Sequence, residues 1–234
     1  MKYKKILLKL SGEALSDNHS AIISKTKLDH FVDEIKSIND LGVKIVIVVG
    51  GGNIMRGSNT GDLALTRYKA DNLGMLATIM NAIVLEDALI KKELDAVVLS
   101  SIEMNKICNF YTSQYANELL DNNKIVICSG GIANPYFSTD TGTIIRALET
   151  GCDAVFKGTQ VDGIYNDDPK KNKDAKRYSC ISYDEVIFQD LKVMDSSAIL
   201  LAKKEKLPII IFDVHKKDSL KNVFLNQDKQ SIIN

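Results

Sequence analysis

Four glycine-bearing segments of this chain carry residue types suited to holding phosphate. Gly50-Gly51-Gly52-Asn53 follows the apolar run Val43–Val49, and Arg56 comes three residues later. Glycine at the carboxyl end of a buried strand lets the backbone turn sharply and approach a ligand. A guanidinium matches the geometry of phosphate oxygens. A plain strand-to-helix turn is the alternative, although it needs fewer glycines. Neither familiar glycine loop is present. Position 55 is Met where GxGxxG requires glycine, and Ser58 stands where a P-loop requires lysine. The second segment, Lys9-Leu10-Ser11-Gly12, ends another apolar stretch. Strand alternation also permits Lys9 on an exposed face. The chemical reading aims its ammonium at a phosphate, with Gly12 presenting backbone N–H groups to the same anion.

The third segment runs from Gly130-Gly131 through Ile132, Ala133, Asn134, Pro135, Tyr136, Phe137, Ser138 and Thr139 to Asp140. Ser138, Thr139 and Asp140 all suit a helix N-cap. One cap needs only one of them, and a helix start is itself an anion site. The fourth segment begins Lys157-Gly158-Thr159 and continues through Asp162, Gly163, Tyr165, Asp167, Asp168 and Pro169. Tyr165 offers a ring on which a nucleobase can stack, and Asp168 an acceptor for ribose hydroxyls. The three aspartates lack EF-hand spacing. Two lysines and an arginine around four loops suit several phosphates, or two phosphorylated ligands side by side. Phosphoryl transfer is the matching chemistry, because it depends on positioning and charge neutralisation. His19, His30 and His215 lie outside these loops. A phosphate acceptor is largely ionised at neutral pH and needs no histidine base.

The elements that must position these groups alternate along the chain. Strands are predicted over residues 5–10, 43–49, 96–99, 125–128, 153–157 and 208–212. Helical periodicity covers 25–41, 65–84, 115–120, 139–150, 183–191, 196–205 and 220–225, with Gly74 as a point of interruption. Residues 170–177 form a charged loop able to act as a lid. This alternation predicts an α/β fold with a mostly parallel sheet covered by helices on both faces, a three-layer αβα sandwich, as a single domain over 1–234.

Thirty basic and thirty acidic residues cancel, so net charge favours neither a nucleic acid nor a membrane partner. No unbroken apolar run reaches the roughly 18 residues of a membrane span. Cys108, Cys128, Cys152 and Cys180 are isolated, as expected of buried thiols in a reducing, cytoplasmic setting.

Taken in order, these loops resemble the amino acid kinase superfamily. The segments Lys5–Ala14, Gly50–Gly57, Ala70–Thr78, Asn134–Asp140 and Lys192–Asp195 are similar to those of its bacterial uridylate kinases over nearly the whole chain. The resemblance implies transfer of the ATP γ-phosphoryl group to UMP, giving UDP and ADP. Mg²⁺ would be held mainly by the nucleotide phosphates, with no dedicated protein metal site. Lys9, Leu10, Ser11, Gly12, Gly52 and Arg56 would contact the phosphates of ATP. Thr159, Tyr165 and Asp168 would hold its nucleoside end. Gly51, Asp71 and the span Ile132, Ala133, Asn134, Pro135, Tyr136, Phe137, Ser138 and Thr139 would hold UMP. Lys9, Asp140 and Lys157 would form the catalytic group, with Asp140 orienting the two lysines. Asp195 is a candidate for the site and equally for a helix N-cap. Gly51 and Gly52 would stand where a side chain obstructs the transferring group.

The family also implies a homohexamer inhibited by UTP. Its segment after the first loop usually carries several glycines linked to GTP activation, but Ser16–Ile23 carries none. GTP activation is therefore not expected. The apolar pattern Leu63–Leu89 suits either a subunit contact or core packing. The rival readings are a relative that phosphorylates a carboxylate or carbamate, a non-catalytic nucleotide sensor, and a dinucleotide oxidoreductase. The Asp71 segment, the retention of both Lys9 and Asp140, and the failed GxGxxG argue against them in turn.

Overall fold

The computed structural model describes residues 2–17, 21–55, 64–169 and 171–234. Arg56, Leu63, His19 and position 170, all named above, lie outside the described residues.

The strands are β1 (Lys5–Leu10), β2 (Lys44–Val49), β3 (Ala96–Ser100), β4 (Asn109–Phe110), β5 (Ile125–Ser129), β6 (Ala154–Thr159), β7 (Ile164–Tyr165), β8 (Arg177–Tyr178), β9 (Cys180–Ile181), β10 (Ile209–Asp213) and β11 (Ser231–Ile233). The helices are α1 (Lys25–Asn39), α2 (Arg67–Ile90), α3 (Ser113–Asp121), α4 (Thr139–Glu149), α5 (Tyr183–Phe188), α6 (Ser196–Glu205) and α7 (Ser219–Phe224). One sheet runs β4-β3-β5-β2-β1-β6-β10-β11-β9, and β7 and β8 form a separate hairpin. Within the large sheet all pairings are parallel except β10 with β11.

Strand alternation divides the core into two layers. Ile6, Leu8, Leu10, Ile45, Ile47, Phe156 and Phe212 pack on one side with residues of α1, α2 and α7. Leu7, Val46, Val155 and Ile211 pack on the other with residues of α3, α4 and α6. Strands buried on both faces read as continuous apolar runs. That is why residues 5–10 and 43–49 are legible as strands without polar alternation.

The α/β sandwich with its mostly parallel sheet is as expected, but several details differ. Gly74 does not interrupt α2, which continues to Ile90. One glycine inside a long helix costs only about 1 kcal/mol, which packing offsets. α2 is also long and apolar enough to cross a membrane, with an 18-residue window of mean hydropathy 1.7. Thr78 and Asn81 break its apolar run without lowering that mean enough. The helix packs against β3, β5 and α1. The chain's last element is the strand β11, not the helix α7. β4, β7, β8 and β9 are also unforeseen: two-residue strands leave no period to read. Cys128 and Cys152 are buried, but Cys180 is exposed, contrary to expectation, and all four thiols are free.

Candidate active site

Register brings the two lysines together. Lys9 on β1 pairs directly with Lys157 on β6, so both side chains leave the same face of the sheet near its carboxyl edge. That face is covered by α4. Ser138 caps α4, its Oγ accepting from Thr141 N at 3.1 Å, which leaves Thr139 and Asp140 free for other work in the first turn. The Asp140 carboxylate sits between the lysines. Lys157 Nζ donates to Oδ2 at 2.8 Å. Lys9 Nζ lies 2.9 Å from Oδ1, a charge contact outside hydrogen-bond geometry. Lys157 also donates to Val193 O.

All three groups are nearly buried. Burial pushes the Asp140 carboxyl up, but the Lys9 and then the Lys157 charge outweigh it and hold its pKa below the ordinary range. Burial, then the Lys9 charge, pulls Lys157 below the usual lysine range against the opposing pull of Asp140. Two lysines facing one carboxylate give the cluster a formal excess of one positive charge at the sheet edge, an arrangement suited to an anion.

Beside it lies a cavity of about 490 Å³ whose lining includes Gly51, Gly52, Met55, Arg67, Asp71 and Thr139. Phe137, Ser138, Gly131, Met75 and Thr78 complete much of the wall. Asp71 is fixed by both neighbours. Arg67 Nε donates to its two oxygens at 2.8 Å each, and Tyr136 N donates to Oδ2 at 2.8 Å. Of the expected span 132–139, Phe137, Ser138 and Thr139 line the cavity, Phe137 while still exposed; Ala133, Asn134 and Tyr136 are exposed and outside that lining.

The glycine loops are tied to α2 by two buried polar residues. Asn81 Nδ2 donates to Gly50 O and to Asn53 Oδ1, both at 2.7 Å. Thr78 Oγ1 accepts from Gly130 N at 2.8 Å. This closeness gives Gly51 a packing role beside the one read from the sequence. A Cβ there would lie 2.7 Å from Gly74 O and 2.8 Å from Ala77 Cβ, so the absent side chain makes room for α2. Gly12 is equally constrained, since its Cβ would fall 2.4 Å from Asn53 Oδ1 and 2.6 Å from Gly50 O.

The remaining expected residues lie on the β1 and β6 side. Leu10 is fully buried in the α1/α2 layer, so only its backbone is available; its carbonyl accepts from Gly50 N. Alternation turns the Leu10 side chain away from the face that carries Lys9. Ser11 Oγ accepts from Ala14 N at 3.3 Å. Thr159 ends β6 and donates to Val161 O at 2.7 Å. Tyr165 stands on the β7–β8 hairpin and donates to Asp162 Oδ1 at 2.5 Å. That bond, with burial second, raises the Tyr165 pKa. Asp168 is exposed on the same outer loop, 3.8 Å from Lys171. Asp195 takes the N-cap position of α6 but makes no side-chain capping bond. Its charge favours the protonated form of Lys157.

Sequence reasoning missed Arg67, Thr78 and Asn81. Each left a signal. Arg67 stands four residues before Asp71, one helical turn away. Thr78 and Asn81 are polar residues at core-facing positions of an otherwise apolar helix.

Residues 4–213 match the model of the amino acid kinase family. A curated relative from Paramagnetospirillum magneticum named uridylate kinase is 44% identical over 92% of this chain and 90% of its own. Another uridylate kinase, from Buchnera aphidicola, is 43% identical over 100% of this chain and 96% of its own. Among solved structures, a UMP kinase from Ureaplasma parvum superposes with a TM-score of 0.95 at 34% identity, over 100% of both chains. One from Bacillus anthracis gives 0.96 at 38% identity, over 99% of this chain and 96% of its own. The lysine–aspartate cluster, the adjoining cavity and these likenesses agree: the chain belongs to the amino acid kinase family, in its uridylate kinase branch.

Proposed function

We propose that this chain transfers the γ-phosphoryl group of ATP to UMP, giving ADP and UDP for pyrimidine nucleotide synthesis. The observation that carries the reading is the Lys9–Asp140–Lys157 cluster, set by register between the cavity beside α2 and the β6 edge with its outer hairpin. UMP occupies the cavity. Asp71 accepts from its ribose hydroxyls, and Gly51, Thr139 and the α4 N-terminus face its phosphate. The remainder of the 132–139 span frames the base. ATP approaches from the other side. Ser11, Gly12, Gly52 and Arg56 hold its phosphates, and Thr159, Tyr165 and Asp168 its nucleoside.

An oxygen of the UMP phosphate attacks the γ-phosphorus, the bond to the bridging oxygen of ADP breaks, and ADP leaves. Lys9 and Lys157 neutralise the oxygens of the transferring group, and Asp140 holds both ammonium groups at the point of transfer. Among the described residues no group of three His, Cys, Asp or Glu side chains gathers to hold a metal. Both Asp140 oxygens already face lysines. Mg²⁺ would be held mainly by the nucleotide phosphates and enter with ATP as the MgATP substrate.

Kinship supports further assignments: a cytoplasmic single-domain protomer, a hexamer and feedback inhibition by UTP. Leu73, Leu76 and Met80 form an exposed apolar stripe along α2, and we assign it to the subunit contact. The absence of glycines from Ser16–Ile23 argues against GTP activation.

The test offers MgATP with UMP, CMP, AMP, acetylglutamate or carbamate and follows ADP release. Rapid turnover with UMP is expected. Brisk turnover with another acceptor and little with UMP overturns the assignment. Lys9→Ala is expected to lower kcat on the order of 10²-fold or more through loss of one charge-assisted contact in the transition state. Near-normal turnover removes Lys9 from this role.

A further inference from the structure

The loop that leaves β5 is held in a costly shape. Gly130 and Gly131 have φ of 72° and 58°, and Ala133 and Tyr136 have φ of 58° and 73°. L-residues enter this left-handed region at a cost and stay there only where surroundings hold them. Thr78 holds the loop at Gly130 N, and Asp71 holds it at Tyr136 N. Between these points, on the side of α4, Gly131 O accepts from Ser101 Oγ at 2.7 Å and from Arg146 Nη2 at 3.4 Å.

Arg146 is a buried cation with no part in the proposed transfer. Only 7% of it is exposed. Its guanidinium lies 3.7 Å from the centre of the Tyr111 ring. Nη1 donates to Glu149 Oε2 at 2.5 Å, and Nη2 donates to Ser101 Oγ at 2.7 Å. Tyr111 OH donates to the same Glu149 oxygen at 2.8 Å. The planar fork is thus clamped by a ring on its face and a carboxylate at one end. Its other end is aimed at Ser101 and the loop carbonyl. Lysine has no such fork.

We propose that Arg146, acting through Ser101 and Gly131 O, is a positioning residue that presets the 130–139 loop to receive the acceptor nucleotide. Its effect is selective. The loop contributes Gly131, Phe137, Ser138 and Thr139 to the acceptor cavity, while the residues assigned to ATP follow β1, β2 and β6. With the brace removed, part of the acceptor's binding energy goes into restoring the loop's shape, a cost that preorganisation avoids.

The inference rests on the assignment of this cavity to UMP. Steady-state kinetics of the full-length protein test both, with UMP varied at saturating MgATP and MgATP varied at saturating UMP. Arg146→Gln is expected to raise the KM for UMP about tenfold, the effect of one charged hydrogen bond, and to leave the KM for ATP within about twofold. Ser101→Ala, which opens no large cavity, is expected to raise the KM for UMP by a smaller factor. It carries the test if Arg146→Gln does not fold. Equal changes in both KM values, or no change in the KM for UMP, overturn the inference. Asp71→Asn separates the two ideas. If it raises the KM for UMP while the brace variants do not, the cavity assignment stands and the positioning role falls. If it too leaves that KM unchanged, both fall.

Discussion

At the scale of single residues, the site is organised around one carboxylate. Asp140 faces two nearly buried lysines, and removing one partner from such a group leaves charge without compensation. Asp140→Asn is expected to lower kcat by about 10²-fold, the size of effect a misplaced catalytic group gives. It should also cost about 3 kcal/mol of unfolding free energy at neutral pH. The pH dependence has a defined sign. The Asp140 pKa is held below its ordinary 3.8 in the folded chain. Its contribution to stability is therefore complete above that value and is lost as pH falls through the depressed folded value. Urea unfolding at pH 7 and in the acid range below 3.8 checks this. The gap between wild type and Asp140→Asn should shrink on acidification, and a constant gap contradicts the electrostatic account. Lys9 and Lys157 were both legible as ends of apolar strands. Their shared partner followed from family likeness, and only the register of β1 against β6 set the two side by side.

At the scale of elements, α2 carries more than its periodicity declares. It packs on the sheet, ties two glycine loops through Thr78 and Asn81, and presents Asp71 to the cavity. Two glycines at the contact between this helix and the triple-glycine loop should respond in opposite ways. Gly51→Ala puts a methyl group against Gly74 O and Ala77, and overpacking of this kind costs about 1–3 kcal/mol. Gly74→Ala meets nothing within 4 Å and replaces glycine inside a helix, so it should add about 0.5–1 kcal/mol. Thermal unfolding of the pair checks both signs; a lower midpoint for Gly74→Ala contradicts the helix argument. The long strands and helices were readable because buried strands make unbroken apolar runs and helices repeat every three to four residues. The hairpin of β7 and β8 and the edge strands β4 and β9 were not, since two residues carry no period.

For the molecule as a whole, the exposed stripe Leu73, Leu76 and Met80 bears on assembly. If this face joins subunits, Leu76→Glu combined with Met80→Glu should shift the protein to smaller species in light scattering coupled to size-exclusion chromatography. An unchanged mass moves the contact elsewhere. By itself the sequence determined the alternating elements, the mostly parallel sheet and the loops that carry phosphate chemistry. It could do so because apolar periodicity and glycine placement are local properties of the chain. Tertiary structure alone decided which residues meet. It set Lys9 beside Lys157, packed Gly51 against Gly74 and Ala77 of α2, and brought Tyr136 N onto Asp71. It also buried Arg146 behind the acceptor loop. Those outcomes depend on strand register, on the face each helix presents and on contacts between residues far apart in the chain. No local pattern encodes them.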